Sequence, residues 1–283
     1  MKNFIIFLIF INNLFSLEKY AKEDILSVWN VEDKNIKLVE HNRIKGLEQL
    51  NNLKYHDELW KIISEFYPED ILKKINRFVV FSDNNKDNKN GMSGLIESID
   101  GTNNSRFILS VDIADAYYGN KIDLEVFLGL LVHESFHLLS LNETQVNINP
   151  TKGIRIYEGY TYENSYINSF YEKFWNNTFG KKLELLEFDT KLSFAQKEAA
   201  RDELYKYNKD KFISSYAMTN MVEDIAVSFE EFIRLSRGSL GNSLKDRKIE
   251  FFYLYPDLVK YKNHFVQKKK EIVRKYSASQ VHH

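Results

Sequence analysis

The stretch Leu124-Glu125-Val126-Phe127-Leu128-Gly129-Leu130-Leu131-Val132-His133-Glu134-Ser135-Phe136-His137-Leu138-Leu139 constrains the fold more than any other part of the chain. Its apolar residues point all round a helix rather than along one stripe, and such a helix is stable in water only when other elements cover every side. The chain must therefore build layers around this segment. With 283 residues, 43% of them hydrophobic, it has the material to do so. A carboxylate and two imidazoles interrupt the apolar run. Each would cost several kcal/mol if buried without a partner, so the covering structure has to supply one.

Those three residues form the pattern H-E-x-x-H: His133, Glu134 and His137. Positions four apart lie on one face of a helix, so the two imidazoles can grip a single zinc ion. Glu134 is turned by about 100° from His133 and stands beside the ion, where it can take a proton from a water at the metal. The chain has seven histidines, and a chance match to this pattern has odds on the order of one in a hundred. The competing explanation is a pair of core histidines with a buried ion pair.

Cysteine is absent, which excludes disulfides, thiolate zinc sites and cysteine nucleophiles and confines metal ligands to His, Asp and Glu. Two imidazoles leave zinc short of protein ligands. A further His six residues past His137 would complete one known pattern, but that position is Glu143. The remaining histidines, His41, His56, His264, His282 and His283, stand in no evident buried helix. A carboxylate is the better choice. In the second apolar helix, expected over Met218 to Leu235, Glu223 interrupts Met218, Val222, Ala226 and Phe229, and small Ala226 permits close approach. Glu223 is the expected third ligand, with Glu230 or Glu231 as alternatives if Glu223 and Asp224 serve only as first-turn charges. Tyr216, seven residues earlier, is a candidate donor to the oxyanion of a tetrahedral intermediate.

The pattern elsewhere points to an α+β chain. Leu17 to about Ile75 reads as charged and helical, with Trp29, Leu47, Trp60 and Phe66 on a buried face. Pro68-Glu69-Asp70 suits the first turn of a short helix. Three strands are expected before the main helix, at Arg77 to Phe81, Gly94 to Ile99 and Arg106 to Ile113, with loops at Ser82 to Asn90 and Asp100 to Asn104. Asn142 to Asn164 reads as loop, and Ser165 to Trp175 and Ser193 to Tyr207 as helices. Lys248 to Arg274 closes the chain with a basic stretch, Lys268-Lys269-Lys270, that reads as a solvated helix face. Tyr157, Tyr160, Tyr162 and Tyr166 read first as core and second as the lining of a substrate groove.

Met1-Lys2-Asn3 followed by the apolar run Phe4 to Ile11 and the small residue Ser16 has the parts of a secretory signal peptide, expected at 1–16. Residues 17–283 are then one two-lobed domain, with 17–140 carrying the sheet and the H-E-x-x-H helix and 141–283 a mainly helical lobe carrying Glu223. No other apolar run approaches the roughly 20 residues that span a bilayer, so an exported, soluble product without stable membrane insertion is expected. A net charge of −1 provides no field that would select nucleic acid.

At these residues the sequence resembles the gluzincin branch of zinc metallopeptidases, in which H-E-x-x-H is completed by a Glu on a later helix. The run Ser215-Tyr216-Ala217-Met218-Thr219-Asn220-Met221-Val222-Glu223, with Ala226 and Phe229, is similar to the Tyr-to-Glu segment of anthrax lethal factor-type catalytic domains. Phe78 to Asp83, His133 to Val146, Ser165 to Trp175 and Glu223 to Phe232 together resemble exported bacterial zinc metallopeptidases. The resemblance implies a zincin-like fold, with a small mixed sheet packed on the active-site helix and a mainly helical C-terminal lobe. It also implies zinc at His133, His137 and Glu223, Glu134 as general base, Tyr216 at the active site, and a peptide or protein substrate. One position departs: Val227 stands where such families often place an acid that holds a ligand imidazole, which leaves that task to Asp224 or to a backbone carbonyl, or makes the site weaker than in its relatives. The alternatives are a zinc-containing binding module, a degenerate protease without turnover, or a hydrolase of a non-peptide amide.

Overall fold

The computed structural model of the chain describes residues 25–83, 93–99, 103–176 and 180–279. The expected signal segment 1–16, most of the loop Ser82 to Asn90 and the turn residues Asp100, Gly101 and Thr102 lie outside them. The chain is of mixed α and β class and divides into two compact units, one running to Leu138 and taking in the chain again from Lys268, the other Leu139–Gln267.

In the first unit, strands β1 (Ile25–Glu32), β2 (Asn35–His41), β3 (Ile75–Phe81), β4 (Gly94–Ser98) and β5 (Phe107–Asp112) form one sheet in the order β2-β1-β3-β5-β4. β3 and β5 run parallel and the other pairs antiparallel, so the sheet is mixed. β3 and β5 are nearly continuous apolar runs because both faces of the sheet are covered. Val79 and Phe81 pack with Ile25, Val28 and Ile108 on one face. On the other, Phe78 meets Trp60 of helix α1 (Leu53–Phe66) at 5.3 Å between ring centroids. Short helix α2 (Glu69–Leu72) follows Pro68, as the sequence suggested.

The helical reading of Leu17 to Ile75 is corrected at its start, because Ile25 to His41 is the hairpin of β1 and β2. The β-branched and aromatic residues Ile25, Val28, Trp29 and Val31 favour a pleated strand, and Asp33 makes the turn with φ of 57°, a conformation Asp tolerates. The charged residues around the turn concealed that alternation.

After β5, helix α3 (Ile113–Ala116) and the small ribbon of β6 (Tyr117–Tyr118) and β7 (Lys121–Ile122) lead into α4 (Leu124–Ser140). Asp123 starts α4 by accepting from the backbone N–H groups of Glu125 and Val126, both at 3.1 Å. From Leu131 onward every residue of α4 is buried, as its all-round apolarity requires. Tyr67, itself buried, donates its hydroxyl to the carbonyl oxygen of Leu131 at 2.8 Å.

The second unit holds a small sheet of β8 (Val146–Asn147), β9 (Arg155–Ile156) and β10 (Gly159–Thr161), in the order β8-β10-β9. Sequence had assigned this stretch to loop, since strands of two or three residues are too short to show alternation. Gly159 is required there: φ is 139°, and a Cβ would stand 2.4 Å from the backbone oxygen of Asn147. Helices α5 (Tyr166–Phe174), α6 (Gly180–Glu187), α7 (Phe194–Lys206), α8 (Met221–Arg234) and α9 (Leu244–Glu250) follow. α10 (Pro256–Ser279) begins in this unit and ends in the first. The closing stretch Lys248 to Arg274 is thus broken by a 3-10 turn, Phe251–Leu254, and its helix restarts at Pro256, which cannot sit inside a helix but is tolerated in its first turn. The core of this unit is aromatic, with Phe170, Phe174, Phe229, Phe232, Phe251 and Phe252 in mutual ring contact. Among the described residues no helix is long and apolar enough to cross a membrane.

Candidate metal centre

His133 and His137 occur where the sequence placed them, one turn apart in the buried half of α4, with exposures of 7% and 6%. Their Nε2 atoms face each other at 3.1 Å. Two ligands about 2.0–2.1 Å from one tetrahedral ion stand roughly 3.3 Å apart, so the imidazoles are spaced within a few tenths of an ångström of what zinc needs. Glu134 is 3% exposed. Strand β4 passes directly against it, since a Cβ on Gly94 would stand 3.2 Å from Glu134 Oε1 and 2.8 Å from Leu130 Cδ1. A methyl group there would make the Leu130 side chain shift and Glu134 give by a few tenths of an ångström. The Tyr67 phenol is pushed well up, first by burial and then by the neighbouring Glu134 charge, and so stays a hydrogen-bond donor.

Glu223 lies in the first turn of α8, half-buried, and its backbone N–H is bonded at 2.9 Å by the side chain of Asn220, the N-cap. Among the described residues, one group of three or more His, Asp or Glu side chains has the closeness to hold an ion: His133, His137 and Glu223, with one ligand atom from each within 4.8 Å of the others. Two imidazoles and a carboxylate form the donor set that zinc accepts in sites keeping a position open for water. The alternative ligands do not enter the group, and Glu231 is bonded instead to Arg234 at 2.5 Å. Tyr216 stands in the 3-10 turn Tyr216–Met218 just ahead of α8 and remains 53% exposed.

The suggestion that Asp224 holds a ligand imidazole is corrected. Asp224 is completely buried, and its Oδ2 accepts from Trp175 Nε1 at 2.8 Å and from Lys248 Nζ at 2.5 Å, while Oδ1 has no hydrogen-bond partner. Lys248 is 1% exposed, and its Nζ lies 4.1 Å from the Phe212 ring centroid. Burial pushes the Asp224 carboxyl up and the Lys248 ammonium down, and the opposite charge of the other works against each shift. Nothing in the spacing of Lys248 among other lysines marked it as buried. The sequence signal nearest to it is the aromatic pair Phe251-Phe252, three and four residues on.

The four tyrosines read first as core are not in it. Tyr157 is 69% exposed, and Tyr160, Tyr162 and Tyr166 are half-buried. Tyr157 and Tyr160 instead line a cavity of about 440 Å³ together with Arg155, Glu187, Phe188 and Lys197. Burial lifts the Glu187 carboxyl to about 7, Arg201 and Lys197 hold it down, and Glu158 and Glu223 add to the rise. The cavity thus lies within electrostatic reach of the candidate ligand Glu223.

The chain matches no family model, no curated protein and no solved structure.

Proposed function

We propose that the chain is an exported zinc-dependent metallopeptidase of zincin-like fold, with His133, His137 and Glu223 as metal ligands. The observation that carries this reading is the convergence of these three side chains, two from α4 and one from α8, with one ligand atom of each within 4.8 Å of the others. Bound zinc would supply Lewis acidity, polarising the scissile carbonyl and acidifying a water. Glu134 accepts the proton of the attacking water and returns it to the leaving amine. Its burial strengthens this role by excluding bulk water from the carboxylate. Tyr216, with its exposed phenol, donates to the oxyanion. β4 is the last strand of its sheet, and with Gly94 against Glu134 its outer edge suits an extended peptide that pairs by backbone hydrogen bonds. The apolar segment at 1–16 supports export.

Replacing Glu134 with Gln keeps the volume and removes the base. Peptide-library cleavage is expected to fall by about 10²–10⁴-fold while zinc stoichiometry stays the same. Cleavage at the wild-type rate would remove Glu134 from its role.

A second reading is favoured by Val227 together with Asp224. No acid stands at 227, and Asp224 is committed to Lys248 and Trp175. A zinc-holding binding module without turnover fits that observation, and full zinc occupancy with no cleavage of any library member would establish it over the peptidase.

A further inference from the structure

Glu223 and Asp224 are consecutive in the first turn of α8, yet one is half-buried and the other lies at 0% exposure. Two separate pieces of chain converge on Asp224, and a third is tied in through Lys248. Trp175 comes from the end of α5, Lys248 from α9, and Lys248 also donates to the backbone oxygen of Lys211 at 3.0 Å, in the segment that leads to Tyr216. A buried ion pair of this kind is seldom the cheapest way to fill a core, since apolar residues of the same volume are often as stable or more so. What a charged, hydrogen-bonded contact adds is direction, because it is satisfied in one orientation only.

We infer that Lys248 and Trp175, acting through the Asp224 carboxylate, are positioning residues that set the rotation of α8 and thereby hold Glu223 where a metal ion needs it. This rests on the zinc reading above. A side-chain tip lies about 5–6 Å from a helix axis, so a rotation of only about 10° would carry it through about 1 Å. Metal–ligand distances tolerate about 0.2 Å. His133 and His137 need no such device, because one helix carries both.

The test uses the full chain with zinc alone as the probe. The double variant Asp224→Asn with Lys248→Met removes both charges and keeps the volumes, so neither is left buried and uncompensated. It is expected to stay folded, with a Tm close to wild type, but to bind zinc about 10–100-fold more weakly, the loss associated with partners of metal ligands. Its cobalt(II) complex should show a shifted visible spectrum. Trp175→Phe removes one hydrogen bond to Asp224 and should weaken zinc several-fold in the same direction. As a control, Leu258→Ala at a buried position of α10 should lower Tm while leaving zinc affinity and the cobalt spectrum unchanged.

Zinc affinity within two-fold of wild type and an unchanged cobalt spectrum in the double variant would overturn the inference. If the double variant does not fold, Trp175→Phe decides by the same criterion. A wild-type chain that binds no zinc would instead sink the zinc reading itself, which is a different outcome from variants that match a zinc-binding wild type.

Discussion

The two helices that carry the candidate ligands solve the same problem in different ways. α4 is apolar on all sides and buried from Leu131 onward, and its two imidazoles are brought together by helix geometry alone. α8 is also buried all round, from Asp224 to Phe229, and its candidate ligand Glu223 is half-buried in a first turn held by the Asn220 cap on one side and by Asp224 on the other. A ligand pair within one helix needs no tertiary positioning, whereas a ligand that must meet groups from another element does. The first arrangement is local and easily read; the second depends on distant residues such as Lys248.

The largest break in this comparison comes from His137→Ala. Loss of one imidazole should weaken zinc well beyond 100-fold, which exceeds what partners of ligands contribute. A circular dichroism spectrum close to wild type would show that α4 persists on burial alone. Retention of zinc at wild-type affinity would remove His137 from the ligand set.

Next in size is a pH effect that belongs to the sheet side of the molecule and not to α8. His56 is buried, bonded to Ser27 Oγ at 2.7 Å and to the backbone oxygen of Leu50 at 2.7 Å, and burial is the main cause that lowers its pKa to about 4. The unfolded chain takes up that proton near 6.5. The stabilisation is therefore complete above pH 6.5 and is lost as pH falls towards 4, amounting to about 3 kcal/mol. Asp112, lifted to about 7 chiefly by burial, acts in the opposite sense, its contribution being lost as pH rises through that value. Chemical denaturation of wild type and His56→Gln at pH 7 and pH 4.5 separates the two. The stability gap between the chains should narrow by about 2–3 kcal/mol at the lower pH, and a constant gap would contradict the assignment.

Gly94→Ala sharpens the α4 side. The added methyl group meets Leu130 and Glu134, and a cost of about 1–3 kcal/mol in urea unfolding is expected, along with reduced cleavage as Glu134 shifts. Zinc affinity should hardly change, because the two imidazoles lie on the same helix. The smallest effect is on the α8 side: Asn220→Ala removes the cap on Glu223 N–H and should cost about 1 kcal/mol. Here zinc affinity should fall too, so that stability and metal binding move together in α8 and separately in α4.

How much could be read in advance followed the range of the interactions. His133, Glu134 and His137 were legible because helical periodicity alone relates them. β3 and β5 were legible because buried strands are dense in Val, Ile and Phe, and β4 because a turn-rich connector separates it from β5. The hairpin of β1 and β2 was concealed by charges at its turn, and β8 to β10 by their brevity. The break before Pro256 is marked in the sequence by the proline itself. Lys248 could not be distinguished from its solvated neighbours, because a lysine enters a core only when a carboxylate from elsewhere meets it.

By itself, then, the sequence determined the buried helix, its candidate ligand pair, the confinement of any metal ligands to His and carboxylates, and the mixed α and β class. These follow from residue chemistry and from periodicity over a few turns. Only the tertiary structure brought Glu223, and not Glu230 or Glu231, within 4.8 Å of the imidazoles, gave Asp224 a buried ion pair, and ran β4 against Glu134. Those choices depend on contacts between residues far apart in the chain, and their distances are set by packing, which no local pattern encodes.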